Sequence, residues 1–286
     1  MNKMFFISIP LIFVLIVCNH NQPAAGQDQI ITAASRDLIN PEGRTVYYRI
    51  LVPEGFDRIS LDKNSFGYYL RNLPLKPHDS DVLLYNGQPK TNKVHVAVID
   101  MEIGSRDLQQ CADAVIRLRA EYFYARNLYG LIHFNFTNGF RADYAKWTLG
   151  YRIDVQGNQV KWIKQEDISY EYKVFRQYLN VIFTYAGTYS LAQEMVRAEY
   201  RDIQPGNVFI RGGSPGHAVI IVDVAMNQST GRKIFLLAQS YMPAQDIHIL
   251  KNPADPELSP WYEVDLNAKK IQTPEWEFGI EELRRF

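Results

Sequence analysis

Two apolar runs near the C-terminal end, HAVIIVDVA at 217–225 and KIFLLAQSY at 233–241, restrict the folds open to this 286-residue chain more than any other feature. A strand shows successive side chains to opposite faces. In the first run His217, Val219, Ile221 and Asp223 fall on one face and Ala218, Ile220, Val222 and Val224 on the other. Both faces are mainly apolar, so the strand must be covered on both sides. The turn-like NQSTG at 227–231 joins the two runs as a hairpin. NVFIRGG at 207–213, following Gln204-Pro205-Gly206, reads as a neighbouring strand.

The rest of the chain supplies what covers this sheet. TVYYRILVPEGF (45–56) and KVHVAVIDMEI (93–103) have β-branched and aromatic runs bounded by Pro, Gly and Asn, and read as strands. A helix is predicted from Asp107, with Gln110 three residues on as a capping-box-like pair. Leu108, Cys111, Val115, Leu118 and Tyr122 form one face of it, which puts Cys111 one turn inside. A second helix is predicted over 172–187, with Phe175, Leu179, Ile182 and Ala186 on its apolar face. The segment 133–152 is aromatic and turn-rich without a clear period, and the Pro-rich C-terminal stretch reads as irregular covering. Helices followed by an antiparallel meander predict an α+β fold, with residues 31–286 as a single domain.

The N-terminus reads as an export signal. Residues 1–18, MNKMFFISIPLIFVLIVC, carry Lys3 and then an uncharged apolar run from Met4 to Val17, short of the roughly 20 residues a spanning helix needs. Leu15-Ile16-Val17-Cys18 is lipobox-like, which predicts lipidation at Cys18 and a membrane anchor through that lipid. Polar residues 19–30 suit a tether. Ala24-Ala25-Gly26 offers a second cleavage site that would release a secreted or periplasmic protein. Either way the chain is exported. The 31 basic and 31 acidic residues balance, leaving no electrostatic footprint for nucleic acid. Cys18 and Cys111 are the chain's two cysteines, so processing at Cys18 leaves Cys111 without a disulfide partner.

Chemistry concentrates around His217, which starts an apolar strand directly after Ser214-Pro215-Gly216. A buried imidazole needs a partner, and Gln239 on the adjoining strand is placed to fix its tautomer. Asp223, further along the same face, is a more remote orienting residue. Cys111 early in a helix feels the positive end of the dipole and a nearby imidazole, both favouring the thiolate. Cys111 and His217 thus form a candidate nucleophile and base, with helix-start amides or the Gln110 side chain as oxyanion donors. Trp147 and Tyr151 with Arg141 are a candidate groove for a charged, peptide-like ligand, and core packing is the other reading of those rings. His95, His133 and His248 lack partners at metal-ligand spacing. No metal and no other cofactor is expected.

A Cys at a helix start, then PGNVFIRGG, then GHAVIIVD, then a polar residue on the next strand resembles the NlpC-type and CHAP-type papain-like cysteine peptidases. The resemblance implies a papain-like α+β domain with helices packed on a small antiparallel sheet. It also implies Cys111 as nucleophile, His217 as base and Gln239 as third residue, acting on peptidoglycan peptides. The long gap from 111 to 217, Asn207 in place of Asp, and Gln239 in place of His, Asn or Glu depart from the pattern. Over nearly the whole mature chain, RDLQQCADAVIRLRAEY, HFNFTNG and LLAQSYMPAQDIHILKNP resemble a bacterial family of exported proteins with a domain of unknown function (4846). Two functions are therefore open: a cell-envelope cysteine peptidase or amidase, and a non-catalytic envelope lipoprotein that binds a glycan or peptide.

Overall fold

The protein is described by a computed structural model covering Met1 and residues 38–286. The signal segment, Cys18 and the tether at 19–30 lie outside the described residues. Among the described residues six α-helices run in chain order: α1 (Val46–Arg49), α2 (Phe66–Arg71), α3 (Cys111–Tyr124), α4 (Tyr144–Thr148), α5 (Tyr172–Tyr185) and α6 (Thr188–Glu194). The strands up to the central hairpin are β1 (Asp57–Arg58), β2 (His95–Val98), β3 (His133–Asn135), β4 (Arg141–Asp143), β5 (Tyr151–Gln156), β6 (Gln159–Lys164), β7 (Val196–Arg197) and β8 (Val208–Arg211). They continue as β9 (His217–Met226), β10 (Lys233–Gln239), β11 (His248–Leu250), β12 (Tyr262–Glu263), β13 (Lys270–Gln272), β14 (Glu277–Gly279) and β15 (Leu283–Arg285).

The predicted hairpin is the middle of the sheet. Nine antiparallel strands follow the order β2-β11-β10-β9-β8-β15-β7, with β1 added to β9 and β12 to β10. Both faces are covered, as the two apolar faces of β9 require. Ala218, Ile220, Val222 and Ala225 join Ala114, Val115 and Leu118 of α3 and Phe175, Leu179 and Ile182 of α5 in one buried cluster. Val219, Ile221 and Val224 join Phe209, Phe235, Tyr262 and Phe278 in another. Each Val, Leu, Ile or Phe side chain among them taken fully from water contributes about 1.5–3 kcal/mol, which outweighs the weak local propensities of these segments.

The structure corrects several expectations. The sheet is large rather than small, because the C-terminal stretch expected to be irregular supplies β11, β12 and β15. In TVYYRI, Val46 and Arg49 are buried while Tyr47 and Tyr48 are exposed. That spacing of three is helical, and Thr45 caps the resulting α1 through its hydroxyl, which accepts from the Tyr48 amide. The segment 133–152 resolves into the β3–β4 hairpin, α4 and the start of the β5–β6 hairpin. Ala186, placed on the second helix, is the residue just beyond it. Among the described residues no helix is long and apolar enough to cross a membrane.

Candidate active site

The loop entering β9 is built to deliver one side chain. A Cβ on Gly216 would lie 2.4 Å from the Gly213 carbonyl oxygen and 2.5 Å from Thr188 Oγ1, so the turn closes only with glycine. Ser214–Pro215 is a cis peptide. His217 follows, 1 % exposed, among the rings of Tyr241, Trp276 and Phe278 at centroid distances of 4.7, 5.4 and 5.8 Å. Its Nε2 lies 2.9 Å from Gln239 Oε1, the partner expected from the sequence. Burial pushes the imidazole down to about 4 against the opposing effect of the Gln239 bond, so it is neutral at neutral pH.

Gln239 is itself held from two sides. Its Nε2 donates to Glu275 Oε2 at 2.8 Å and approaches His248 Nε2 at 3.5 Å. Glu275 pairs through Oε1 with Lys90 Nζ at 2.7 Å. His248 Nδ1 lies 2.9 Å from the Asp246 carbonyl oxygen, which makes its Nε2 an acceptor.

Cys111 is the first residue of α3, not one turn inside it. Residues 107–110 are diverted by the loop after β10. Ser240 Oγ lies 3.0 Å from the Gln109 carbonyl oxygen and 2.7 Å from that of Gln245, while Asp107 Oδ1 accepts from the Ala244 amide at 2.7 Å. Gln110, read as an oxyanion donor, directs its Nε2 to Asp107 Oδ1 at 3.1 Å. The cap is Asp113, whose Oδ2 accepts from the Gln110 amide at 3.0 Å.

Burial dominates the electrostatics here. It pushes the Cys111 thiol up to about 11, the Asp113 carboxyl adds to the rise, and the amides of Ala112 and Ala218 pull the other way. The thiolate expected from the helix start is thus not the resting form. Desolvation also pushes the Asp113 carboxyl up to about 8, and its Oδ1 has no hydrogen-bond partner among the described residues.

Cys111, Asp113 and His217 line one cavity of about 330 Å³, with Phe183, Tyr241 and Trp276 among its other walls. The sequence pair is therefore brought to a common space from α3 and β9. Cys111 and His217 do not hydrogen-bond to each other, and His217 Nδ1 has no hydrogen-bond partner among the described residues.

Other candidates lie elsewhere. Asp223 leaves the face of His217 because a bulge in β9, between the pairs Leu236↔Asp223 and Leu237↔Ile221, shifts the alternation by one residue. It is fully buried and ion-paired with Arg58 and Arg71, each at 2.6 Å. Trp147 is buried edge-on against Tyr178 with the Arg152 guanidinium 4.4 Å from its ring. Tyr151 carries the Lys146 ammonium at 5.2 Å, and the exposed Arg141 pairs with Asp143 at 2.8 Å. None of these three lines the cavity. Glu275, Lys90 and Asp113 were not singled out from the sequence. Asp113 becomes legible as an N3 carboxylate once the helix starts at Cys111, whereas nothing local marks Glu275 or Lys90. Among the described residues no group of three His, Cys, Asp or Glu side chains is placed to hold a metal ion.

Fold and site together define a mixed α/β protein in which a large antiparallel sheet and one helix start frame a cavity holding a thiol and an imidazole. Residues 46–285 match the profile of the family described as a domain of unknown function (4846), and the chain belongs to that family. No curated protein and no solved structure matches it.

Proposed function

We propose that the chain is an exported cell-envelope protein, lipid-anchored at Cys18 or released, whose cavity is the active site of a papain-like cysteine peptidase or amidase acting on cell-wall peptides. One observation carries this reading: Cys111 at the start of α3 and the Gln239-held His217 at the start of β9 line the same cavity. With Nε2 turned to Gln239 Oε1, the ring keeps a proton on Nε2 and a lone pair on Nδ1, the form a general base requires. The Cys111 and Ala112 amides, at the start of α3, would be the donors to the oxyanion that develops on a carbonyl attacked by the thiol. Attack would transfer the acyl group to Cys111 and release the amine, with His217 carrying the proton from sulfur to the leaving nitrogen. Water would then free the acid.

The raised thiol and the missing Cys111–His217 hydrogen bond favour a second reading, a binding protein for a peptide or glycan. Incubating the protein with muropeptides and with a thiol-directed probe separates the two. Catalysis predicts cleaved peptides and probe labelling with wild type, both lost in Cys111→Ala, and cleavage lost in His217→Ala. Muropeptide binding without cleavage, unchanged in Cys111→Ala, supports the binding protein.

A further inference from the structure

The hydrogen bonds beyond Gln239 run in one direction only. Lys90 can donate and never accept, so Glu275 Oε1 receives it at 2.7 Å. The other oxygen, Oε2, can only accept and faces Gln239 at 2.8 Å, so the Gln239 carboxamide must present its NH2 there. His248 imposes the same orientation, since its Nδ1–H is spent on the Asp246 carbonyl and its Nε2 takes a second proton from the same NH2. Oε1 is left pointing at His217 Nε2, which must then carry the ring proton. Three acceptor and donor assignments, each forced by chemistry rather than by which way an amide happens to be drawn, converge on a bare Nδ1.

We infer that Glu275 is a positioning residue that, through Gln239 and with Lys90 setting its direction, fixes the Nε2–H tautomer of His217 and so leaves Nδ1 free to take a proton. Only the kinetic consequence rests on the cysteine-hydrolase reading. The tautomer itself does not. Side-chain exposures of 9 % for Lys90 and 13 % for Glu275 keep water from substituting freely for either partner.

An isosteric change reverses the chain. In Glu275→Gln the Lys90 ammonium still claims the oxygen, so the new NH2 faces Gln239. Gln239 must answer with Oε1 and turn its own NH2 to His217. Nε2 then becomes an acceptor and the proton moves to Nδ1. Adding Lys90→Met frees residue 275 to rotate, and the pull of His248 on Gln239 restores the original tautomer.

Nitrogen-15 NMR of histidine-labelled full chain, with His217→Gln giving the assignment, reads both ring nitrogens directly. Wild type is expected to show protonated Nε2 and unprotonated Nδ1, Glu275→Gln the two signatures exchanged, and the Lys90→Met/Glu275→Gln pair the wild-type pattern again. A wild-type ring protonated at Nδ1, or a Glu275→Gln ring unchanged from wild type, overturns the inference. Should Glu275→Gln fail to fold, a wild-type ring protonated at Nδ1 still overturns the inference. With muropeptide substrate, Glu275→Gln is expected to lower kcat by about 10²- to 10⁴-fold, the range of a lost general base, with the double variant recovering. Exchanged nitrogen signatures without any turnover in wild type would leave Glu275 in its role and remove the hydrolase reading instead.

Discussion

Strand β9 buries a polar side chain near each end, and the two are satisfied in opposite ways. At the Asp223 end, Nε of Arg58 and Nε of Arg71 each bind one carboxylate oxygen, and Arg58 also donates to the Ile50 carbonyl. Charge meets charge and the group is closed off. At the His217 end every member from Gln239 to the imidazole is uncharged, the bonds run in one direction, and the final nitrogen has no partner among the described residues and stands beside a cavity. Full pairing is what a structural device needs. A chain that stops one bond short, facing a space, is how a site keeps a reactive position available.

The largest test of this contrast is Asp223→Ala. Stranding two buried guanidinium groups is expected to cost about 3–5 kcal/mol in urea denaturation, while the labelling rate of Cys111 in the folded protein stays at the wild-type value. A loss well below this range would show that the Asp223 end is not closed.

Next comes pH. The Asp113 carboxyl lies at about 8 when folded against 3.8 as the ordinary value, so the folded state holds a proton that the unfolded state gives up. Its contribution to stability is full below about 4 and is lost as pH rises to about 8. His217, lowered from 6.5 to about 4, acts oppositely, with stability rising between those values. The window from about 6.5 to 8 therefore isolates Asp113. Wild type should lose roughly 1–2 kcal/mol across it, and Asp113→Asn should be flat.

His217→Ala leaves Gln239 Oε1 without its donor, at a cost of about 1 kcal/mol by calorimetry, because water from the cavity can take the donor's place. A cost as large as that of Asp223→Ala would make the two ends equivalent and undo the contrast. Smallest of all, Arg141→Ala removes an exposed ion pair outside the cavity. It should change stability by less than about 0.5 kcal/mol and leave muropeptide binding as it was. Weakened binding would return the Trp147–Tyr151 region to consideration as a ligand surface.

Legibility followed the strength of local signals. The β9–β10 hairpin, α5 and the His217–Gln239 bond could be read from the chain, because apolar runs, helical spacing and a lone polar residue in a strand each have one inexpensive solution. Asp223 was misplaced because strand parity was carried through a bulge that no residue announces. The helix start was set at Asp107 by a capping pattern. Asp107 and Gln110 do hydrogen-bond, yet Asp107 also holds Ala244, more than a hundred positions away, and the long-range partner won. Glu275 reaches Gln239, and Lys90 reaches Glu275, from loops, where spacing carries no directional information. Of the three residues the NlpC-type resemblance implied, Cys111 and His217 line the cavity and Gln239 stands behind the imidazole, and the small sheet it implied is replaced by one of nine strands.

The clasp of Ser240 and Asp107 across the start of α3 has a consequence for how such a pocket can diversify. Gln239 immediately precedes Ser240, so the strand that holds the imidazole and the helix that carries the sulfur are fastened at adjoining points. Another part of the lining, Phe183, Ala186, Gly187 and Thr188, belongs to the end of α5, the link after it and the start of α6. Reactivity and aperture are thus inherited from separate parts of the chain. Substitutions at Phe183 or Ala186 can retailor what enters, whereas Thr188, whose hydroxyl donates to the Gly213 carbonyl, is tied to the turn that delivers His217.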